Sequence, residues 1–161
     1  MPIDDHVRES AERFWKRITG IPSLGGFRSA DQFSPSNFRA IEAAFESDRE
    51  RRMGGLLEMP SQDGHEKENA LKVLAFELGA YIGEIVRHHY GEKCKWVFNP
   101  DSRDDCGTEL YLPDKDEPLF PIRFATDQLK EFQPGNFVKW AEAAGLRVGN
   151  HPTAYRPHFG S

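Results

Sequence analysis

The sequence predicts an α+β fold in which N-terminal helices and a long central helix pack on one face of a three- to four-stranded antiparallel sheet, with a C-terminal helix. The first observation behind this prediction is the run from Leu71 to Gly91, where apolar residues recur with the period of an amphipathic helix. The second is the alternating pattern after Gly91, where Cys94, Trp96 and Phe98 share one face of a strand. The third is size, because 161 residues with 38% hydrophobic content support one core.

Two helices are expected before the central one. Asp4 or Asp5 is suited to cap the first helix, which is predicted to end near Thr19. The second is predicted to begin after Ser34, because Pro35 is well placed at a first helical position. Each helix carries apolar residues on one side, so both are expected to pack on the core.

The central helix is predicted to begin at Glu66 and to end at Gly91. Within it Ala75, Gly79 and Gly83 recur every four residues, and we call these three positions the glycine ridge. Because a Gly costs about 1 kcal/mol relative to Ala in a helix interior, we expect another helix or the sheet to approach this ridge closely. Helix dimers in membranes show the same spacing, but charged residues interrupt this apolar run far below membrane length.

Three strands are predicted to follow, joined by connections short enough for an antiparallel meander. The strand at residues 93–98 precedes one at 108–112 and a third at 119–124. Pro121 within the third strand lacks an N–H donor, which favours a position at the edge of the sheet.

The C-terminal part is predicted to hold one more helix. Residues 127–132 are expected to form a short helical turn, and Asn136 is suited to cap a helix that ends at Gly145. Residues 146–161 contain two prolines and no acidic residue, which predicts a flexible tail. Apart from this tail, residues 1–161 are expected to form a single domain.

The net charge of −5 is concentrated in one segment. Between Asn99 and Glu117, seven acidic residues stand against only Arg103 and Lys115, so this segment alone sums to −5 and the remainder is balanced. Such a distribution excludes nucleic-acid binding through a general basic field, and it lacks the polybasic stripe that binds anionic membranes. It favours a basic protein as the partner.

Cysteine content and the N-terminal sequence indicate the compartment. Cys94 and Cys106 are too few for a disulfide scaffold. The starting sequence MPIDDHVRES lacks the apolar core of a secretion signal. We therefore expect cytoplasmic residence, with both thiols reduced.

The acidic segment is the candidate partner-binding surface. Clustered carboxylates steer a basic partner, and Tyr111 offers an aromatic contact. The candidate partner-binding residues are Asp101, Asp104, Asp105, Glu109, Tyr111, Asp114, Asp116 and Glu117. The alternative is a solvated sheet edge that its charges keep soluble.

A rival hypothesis places an enzyme or ligand site on the central helix. Glu77, Tyr81, Glu84 and His88 fall in one sector of it, so two carboxylates and an imidazole could line a cleft. A solvated stripe on a buried helix would contain the same residues. No nucleophile, closed zinc pattern or phosphate-binding glycine motif accompanies them. The sequence therefore favours a protein without catalytic residues, metal or cofactor.

The order of segments carries a resemblance. The helix ALKVLAFELGAYIGEIVRHHYG, with its Gly83–Glu84 pair, precedes KWVF with Trp96, and then LYL and LFPI. Over residues 66–124 this arrangement resembles a loose group of small uncharacterised bacterial α+β proteins. Some proteins of this kind are immunity proteins, which neutralise a toxin made by the same cell. The resemblance implies the fold more than an activity. Taken together with the acidic segment, it leads us to expect a non-enzymatic immunity protein whose partner is a toxin with a basic surface.

A third hypothesis is a self-assembling structural or regulatory subunit. Its interface would be the glycine ridge or the edge strand of the sheet. The sequence leaves the partner's identity and the oligomeric state open.

Overall fold

The computed structural model describes residues 3–19, 32–51, 64–99, 107–113 and 115–148. The chain forms two compact units, the first from residues 1–14 and 59–132 and the second from residues 15–58 and 133–161. Helices and antiparallel strands confirm the α+β class. Within the described ranges, no helix combines the length and apolarity needed to cross a membrane. The single-domain organisation stays a prediction.

With the exception of the helix that begins at Pro121, the described helices begin and end within a few residues of the positions that the sequence signals predict. The described helices are α1 (Ile3–Thr19), α2 (Asn37–Arg51), α3 (Gly64–Tyr90), α4 (Pro121–Lys130) and α5 (Asn136–Ala143). Gly91 follows α3 with a φ of 81°, the left-handed conformation that ends many helices. Pro35 lies in the turn before α2, where the Asn37 N–H donates to the Ser34 carbonyl at 3.0 Å. It therefore precedes the helix instead of opening it.

The first unit contains a two-stranded antiparallel sheet. Its strands are β1 (Lys95–Phe98) and β2 (Thr108–Tyr111), with Trp96 opposite Leu110 and Val97 opposite Glu109. Leu119 adds an isolated antiparallel bridge to Leu110 on the other side of β2. The sequence predicts three to four strands, whereas the described part of the chain contains two strands and one bridge.

The prediction of a third strand at 119–124 is wrong beyond Leu119, because α4 begins at Pro121. The ring of Pro121 fixes a φ that suits the first turn of a helix, where the missing N–H costs nothing. Ile122 and Ala125 are buried together with Pro121, which follows the helical period and not the strand period. The same proline therefore starts a helix instead of marking a strand edge.

The glycine ridge is approached closely, as the sequence predicts. A Cβ on Gly79 would lie 2.5 Å from the Cα of Ile122 in α4. A Cβ on Gly83 would overlap the ring of Trp96 in β1. Both the helix α4 and the sheet therefore reach the backbone of α3 at positions without side chains, which explains the glycines.

The second unit packs α2 against α5 through aromatic rings. The ring centroids of Phe45 and Phe137 are 5.0 Å apart, and those of Phe38 and Trp140 are 6.0 Å apart. Such tilted pairs contribute beyond the area that they bury. These rings form the core of the second unit.

The first residues of the predicted tail belong to this core. Residues 146–148 are non-helical, but Leu146 and Val148 are buried. The Leu146 N–H donates to the Ala141 carbonyl at 3.0 Å. Residues 149–161 lie outside the described residues, so the prediction of a flexible tail applies to them alone.

Candidate functional site

Glu84 is a buried carboxylate of the first unit that accepts hydrogen bonds from two side chains. It lies on α3 next to Gly83, and its exposed fraction is 1%. Arg87, one helical turn later, donates from Nε to Oε2 at 2.7 Å and from Nη2 to Oε1 at 3.0 Å. The Trp96 indole Nε1–H also donates to Oε2, at 2.7 Å. We call Glu84, Arg87 and Trp96 the Glu84 cluster.

The fold explains why these three groups meet. The absent side chain at Gly83 lets the Trp96 ring lie against α3, and this contact brings the indole N–H to the adjacent Glu84. Arg87 satisfies both oxygens in the fork geometry that a guanidinium and a carboxylate share. A buried carboxylate without such donors would be strongly unfavourable. The cluster therefore fixes β1 to α3 by polar as well as apolar contacts.

His88 lies beside this cluster without completing an acid–base pair. Its Nε2 is 3.7 Å from Glu84 Oε1 and 3.4 Å from Arg87 Nη2. Burial lowers the pKa of His88 from its ordinary value, the nearby Glu84 raises it, and Arg87 and Arg8 lower it. The net direction is downward, so the imidazole is predominantly neutral at neutral pH and accepts a hydrogen bond from Arg87.

The second carboxylate of the rival hypothesis has a different partner. Glu77 is buried, and the Arg13 Nε of α1 donates to its Oε2 at 3.2 Å. Tyr81 is fully buried between these positions in sequence, with its ring 5.2 Å from Phe14. The four residues thus do not gather around one cleft, because Glu77 and Glu84 each pair with their own arginine and Tyr81 belongs to the core.

Cys94 does not offer an activated thiol. It precedes β1 and is buried, and this burial raises its pKa to about 11. The proton therefore stays on sulfur at neutral pH. Within the described ranges, no group of three or more His, Cys, Asp or Glu side chains is arranged to hold a metal ion.

The candidate partner-binding residues occupy different environments. Asp101, Asp104, Asp105 and Asp114 lie outside the described residues. Asp116 and Glu117 are exposed in the turn that follows β2. These two carboxylates form no ion pair or hydrogen bond with other described residues.

Glu109 is buried, although the sequence predicts it to be part of the exposed acidic surface. Its exposed fraction is 4%, although it is placed on the outer face of β2 by the strand alternation. The Tyr111 hydroxyl donates to Oε1 at 3.0 Å and Asn99 Nδ2 donates to Oε2 at 3.4 Å. This hydrogen bond to Glu109 raises the pKa of Tyr111. Glu109 therefore orders the outer face of the sheet and does not present an exposed charge to a partner.

Two apolar residues of β1 are exposed, which the sequence did not predict. Val97 is 39% exposed and Phe98 is 56% exposed. In the described part of the chain, Val73 is the other large hydrophobic side chain with this degree of exposure. The available signal was the valine among lysines on the outward-facing side of the strand, since an outward valine at a sheet edge is a contact candidate.

No protein family model matches this chain, and neither a curated protein nor a solved structure matches it. The site is therefore defined by its own geometry. It combines a helix–sheet layer whose buried acids are satisfied internally with an outer sheet face and an adjacent turn that carry exposed apolar and acidic groups.

Proposed function

We propose that this chain is a non-enzymatic protein that binds a basic protein partner through the acidic segment between Asn99 and Glu117. In its most specific form the proposal is an immunity protein, which neutralises a toxin by covering the toxin's basic surface. The observation that carries it is the exposure of Asp116 and Glu117 in the turn after β2. Exposed carboxylates that are not engaged elsewhere are available to attract a cationic surface.

The internal pairing of the α3 carboxylates supports binding over catalysis. An acid–base catalyst needs a group that exchanges a proton with a reacting molecule. Glu84 is instead held by Arg87 and Trp96, and Glu77 by Arg13. These contacts suit a rigid scaffold that presents a preformed surface, and preorganisation of that kind reduces the entropic cost of association.

Neutralisation by occlusion requires no chemistry from the protein. The acidic segment would increase the rate of encounter with a basic partner, and this steering weakens as salt increases. Affinity would then come from close packing at the centre of the interface. The proposal therefore predicts fast association with a pronounced salt dependence.

The test begins with capture of a basic protein by the tagged chain from the organism that encodes it. The gene immediately upstream is the first candidate for the toxin, and its toxicity should be suppressed by co-expression of this chain. The association rate is then measured at several salt concentrations for the wild type and for the double variant Asp116→Lys/Glu117→Lys. We expect this variant to associate about tenfold more slowly at low salt and to show a weaker salt dependence.

The matched control is Glu92→Lys/Glu131→Lys. Glu92 and Glu131 are also exposed residues of the first unit, so the total charge changes by the same amount. The control should associate at nearly the wild-type rate, because its substitutions lie outside the acidic segment. Equal slowing by both double variants would show that total charge, not the segment, governs association. Unchanged binding by the Asp116→Lys/Glu117→Lys variant would contradict the proposal.

A further inference from the structure

His88 lies against two oppositely charged groups of α3. Its Nε2 is 3.7 Å from Glu84 Oε1 and 3.4 Å from Arg87 Nη2. The same Arg87 Nη2 donates to the same Glu84 Oε1 at 3.0 Å. An imidazole nitrogen, a guanidinium nitrogen and a carboxylate oxygen thus form a triangle, and we call it the Oε1 triangle.

Neutral His88 can take only one role in the Oε1 triangle. A guanidinium nitrogen donates hydrogen bonds and does not accept them, so Nε2 must be the acceptor of the contact with Arg87. The proton of the neutral ring then lies on Nδ1. In this form Arg87 alone supplies the donor that Oε1 receives within the triangle.

A proton on Nε2 reverses that role. The nitrogen loses its lone pair and becomes a cationic donor, so its contact with the Arg87 guanidinium becomes unfavourable. Glu84 Oε1, at 3.7 Å, then comes within hydrogen-bond distance after a ring movement of about 1 Å. The His88 side chain is 45% exposed and that of Arg87 is 26% exposed, so both have room to move.

We propose that His88 and Arg87 exchange as the donor to Glu84 Oε1 when the surroundings become mildly acidic. Arg87 Nη2 holds this oxygen while His88 is neutral. His88 Nε2–H holds it after protonation, and Nη2 turns toward solvent. Arg87 Nε and the Trp96 indole N–H, each 2.7 Å from Oε2, keep the other oxygen in both forms.

The charges around His88 set the pH range of this exchange. Burial has the largest effect and lowers its pKa, Glu84 raises it, and Arg87 and Arg8 of α1 lower it again. Arg8 is itself 3.7 Å from Asp5, which offsets part of its charge. The last turn of α3 also favours a cation through the helix dipole. We therefore expect the exchange below the ordinary value of 6.5.

The exchange makes the attachment of β1 to α3 sensitive to pH. Trp96 of β1 donates to α3 through Glu84 Oε2. A second cation at this carboxylate withdraws negative charge from Oε2, so the indole hydrogen bond should lengthen on protonation. The Glu84 cluster is then a proton-sensitive link between helix and sheet. This device uses neither Asp116 nor Glu117, so it does not rest on the proposed function.

Nuclear magnetic resonance of the full chain between about pH 7.5 and pH 5 tests the exchange. We expect the ring nitrogens of His88 to show the Nδ1–H tautomer at the upper pH. The indole N–H resonance of Trp96 should move upfield with the same midpoint as the His88 ring. The Cys94 thiol adds no titration in this range, because its pKa is about 11.

The matched variants are His88→Gln and His89→Gln. His88→Gln should abolish the movement of the Trp96 resonance. His89→Gln should retain it, because the His89 ring packs edge-on against Tyr90. Movement of the Trp96 resonance that persists in His88→Gln would overturn the proposal. So would a Trp96 resonance that stays in place while His88 titrates, or an Nε2–H tautomer at the upper pH.

Crystal structures at about pH 7.5 and pH 5 measure the exchange directly. At the lower pH we expect His88 Nε2 and Glu84 Oε1 to approach to about 2.8 Å, the distance of a charge-assisted hydrogen bond. Arg87 Nη2 should have left Oε1, while its Nε stays on Oε2. A triangle with the same three distances at both pH values would overturn the exchange.

Discussion

Two helix pairs in this protein achieve close packing by opposite means. In the first unit, α3 approaches α4 and the sheet where its side chains are absent, at Gly79 and Gly83. In the second unit, α2 contacts α5 through large rings, including Phe45 on Phe137. At Gly79 and Gly83, an added side chain would collide with α4 or the sheet. Between α2 and α5, removal of a ring would remove the contact itself.

Each pair also uses one glutamate, again in different ways. Glu84 on α3 accepts hydrogen bonds from the side chains of Arg87 and Trp96. Glu42 on α2 accepts them from the backbone N–H groups of Gly135 and Val138, at 2.7 and 2.8 Å. The first glutamate is a buried charge that needs a cation, and the second caps the start of α5. Substitutions should therefore differ in effect between the two units.

The largest effect is expected at Gly79. Gly79→Leu would force a side chain into the backbone of Ile122 in α4, so we expect it to cost about 3 kcal/mol or more of the free energy of unfolding. Urea denaturation monitored by circular dichroism measures this cost. Val73→Leu on the exposed part of α3 is the control and should change stability by less than about 0.5 kcal/mol. Wild-type stability in Gly79→Leu would show that α4 does not approach the ridge as described.

Removal of the Glu84 carboxylate should have the next largest effect. Glu84→Ala leaves Arg87 and the Trp96 N–H without their acceptor, and we expect a loss of about 3 kcal/mol in urea denaturation. Glu84→Gln combined with Arg87→Met removes both charges together. This double variant should be more stable than Glu84→Ala. If it is equally unstable, the ion pair is not the source of the loss.

A smaller effect is expected for the cap of α5. Glu42→Ala removes the acceptor of two backbone N–H groups, so we expect it to cost about 1 to 2 kcal/mol. Glu142→Ala, an exposed residue of α5, is the control. Hydrogen exchange should show faster exchange of the Val138 amide in Glu42→Ala alone. Equal protection of this amide in both variants would exclude the capping role.

The smallest effect concerns the pH dependence of stability. The lowered pKa of His88 means that the unfolded chain binds this proton more tightly than the folded protein does. Stability is therefore fully present above the ordinary value of 6.5 and decreases as the pH falls through the folded-state pKa. His88→Gln should reduce this slope between pH 7.5 and pH 5, measured by urea denaturation at about half-unit steps.

The control for this pH series is His89→Gln. His89 is the adjacent histidine, and its ring packs edge-on against Tyr90 instead of facing Glu84. It should retain most of the wild-type slope. An equal loss of slope in the two variants would show that the effect does not come from the environment of His88.

The comparison of the two units also shows which features were predictable. The end of α3 at Gly91 and the close approach at the glycine ridge followed from local rules about glycine. The identity of the approaching group did not, since nothing near Gly79 in sequence points to Ile122. The α+β class followed from the change of hydrophobic period, but the number of strands did not.

Pro121 illustrates the limit of a local pattern. A proline followed by alternating apolar residues fits both an edge strand and the first turn of a helix. Burial of Ile122 against α3 favours the helix, and this contact spans more than forty residues of sequence. Glu109 shows the same limit. The alternation of β2 predicts that its side chain points outward into solvent, but it is buried and accepts hydrogen bonds from Tyr111 and Asn99.

By itself, the sequence determined where α1, α2, α3 and α5 start and stop to within a few residues, because glycine, proline and apolar spacing act on the backbone over that distance. It also determined where negative charge accumulates along the chain. The tertiary structure alone decided that residues after Leu119 form a helix, and which acids are buried with arginine partners and which stay in water. These outcomes depend on groups that are distant in sequence, since burial and hydrogen bonding are settled only when the elements pack together.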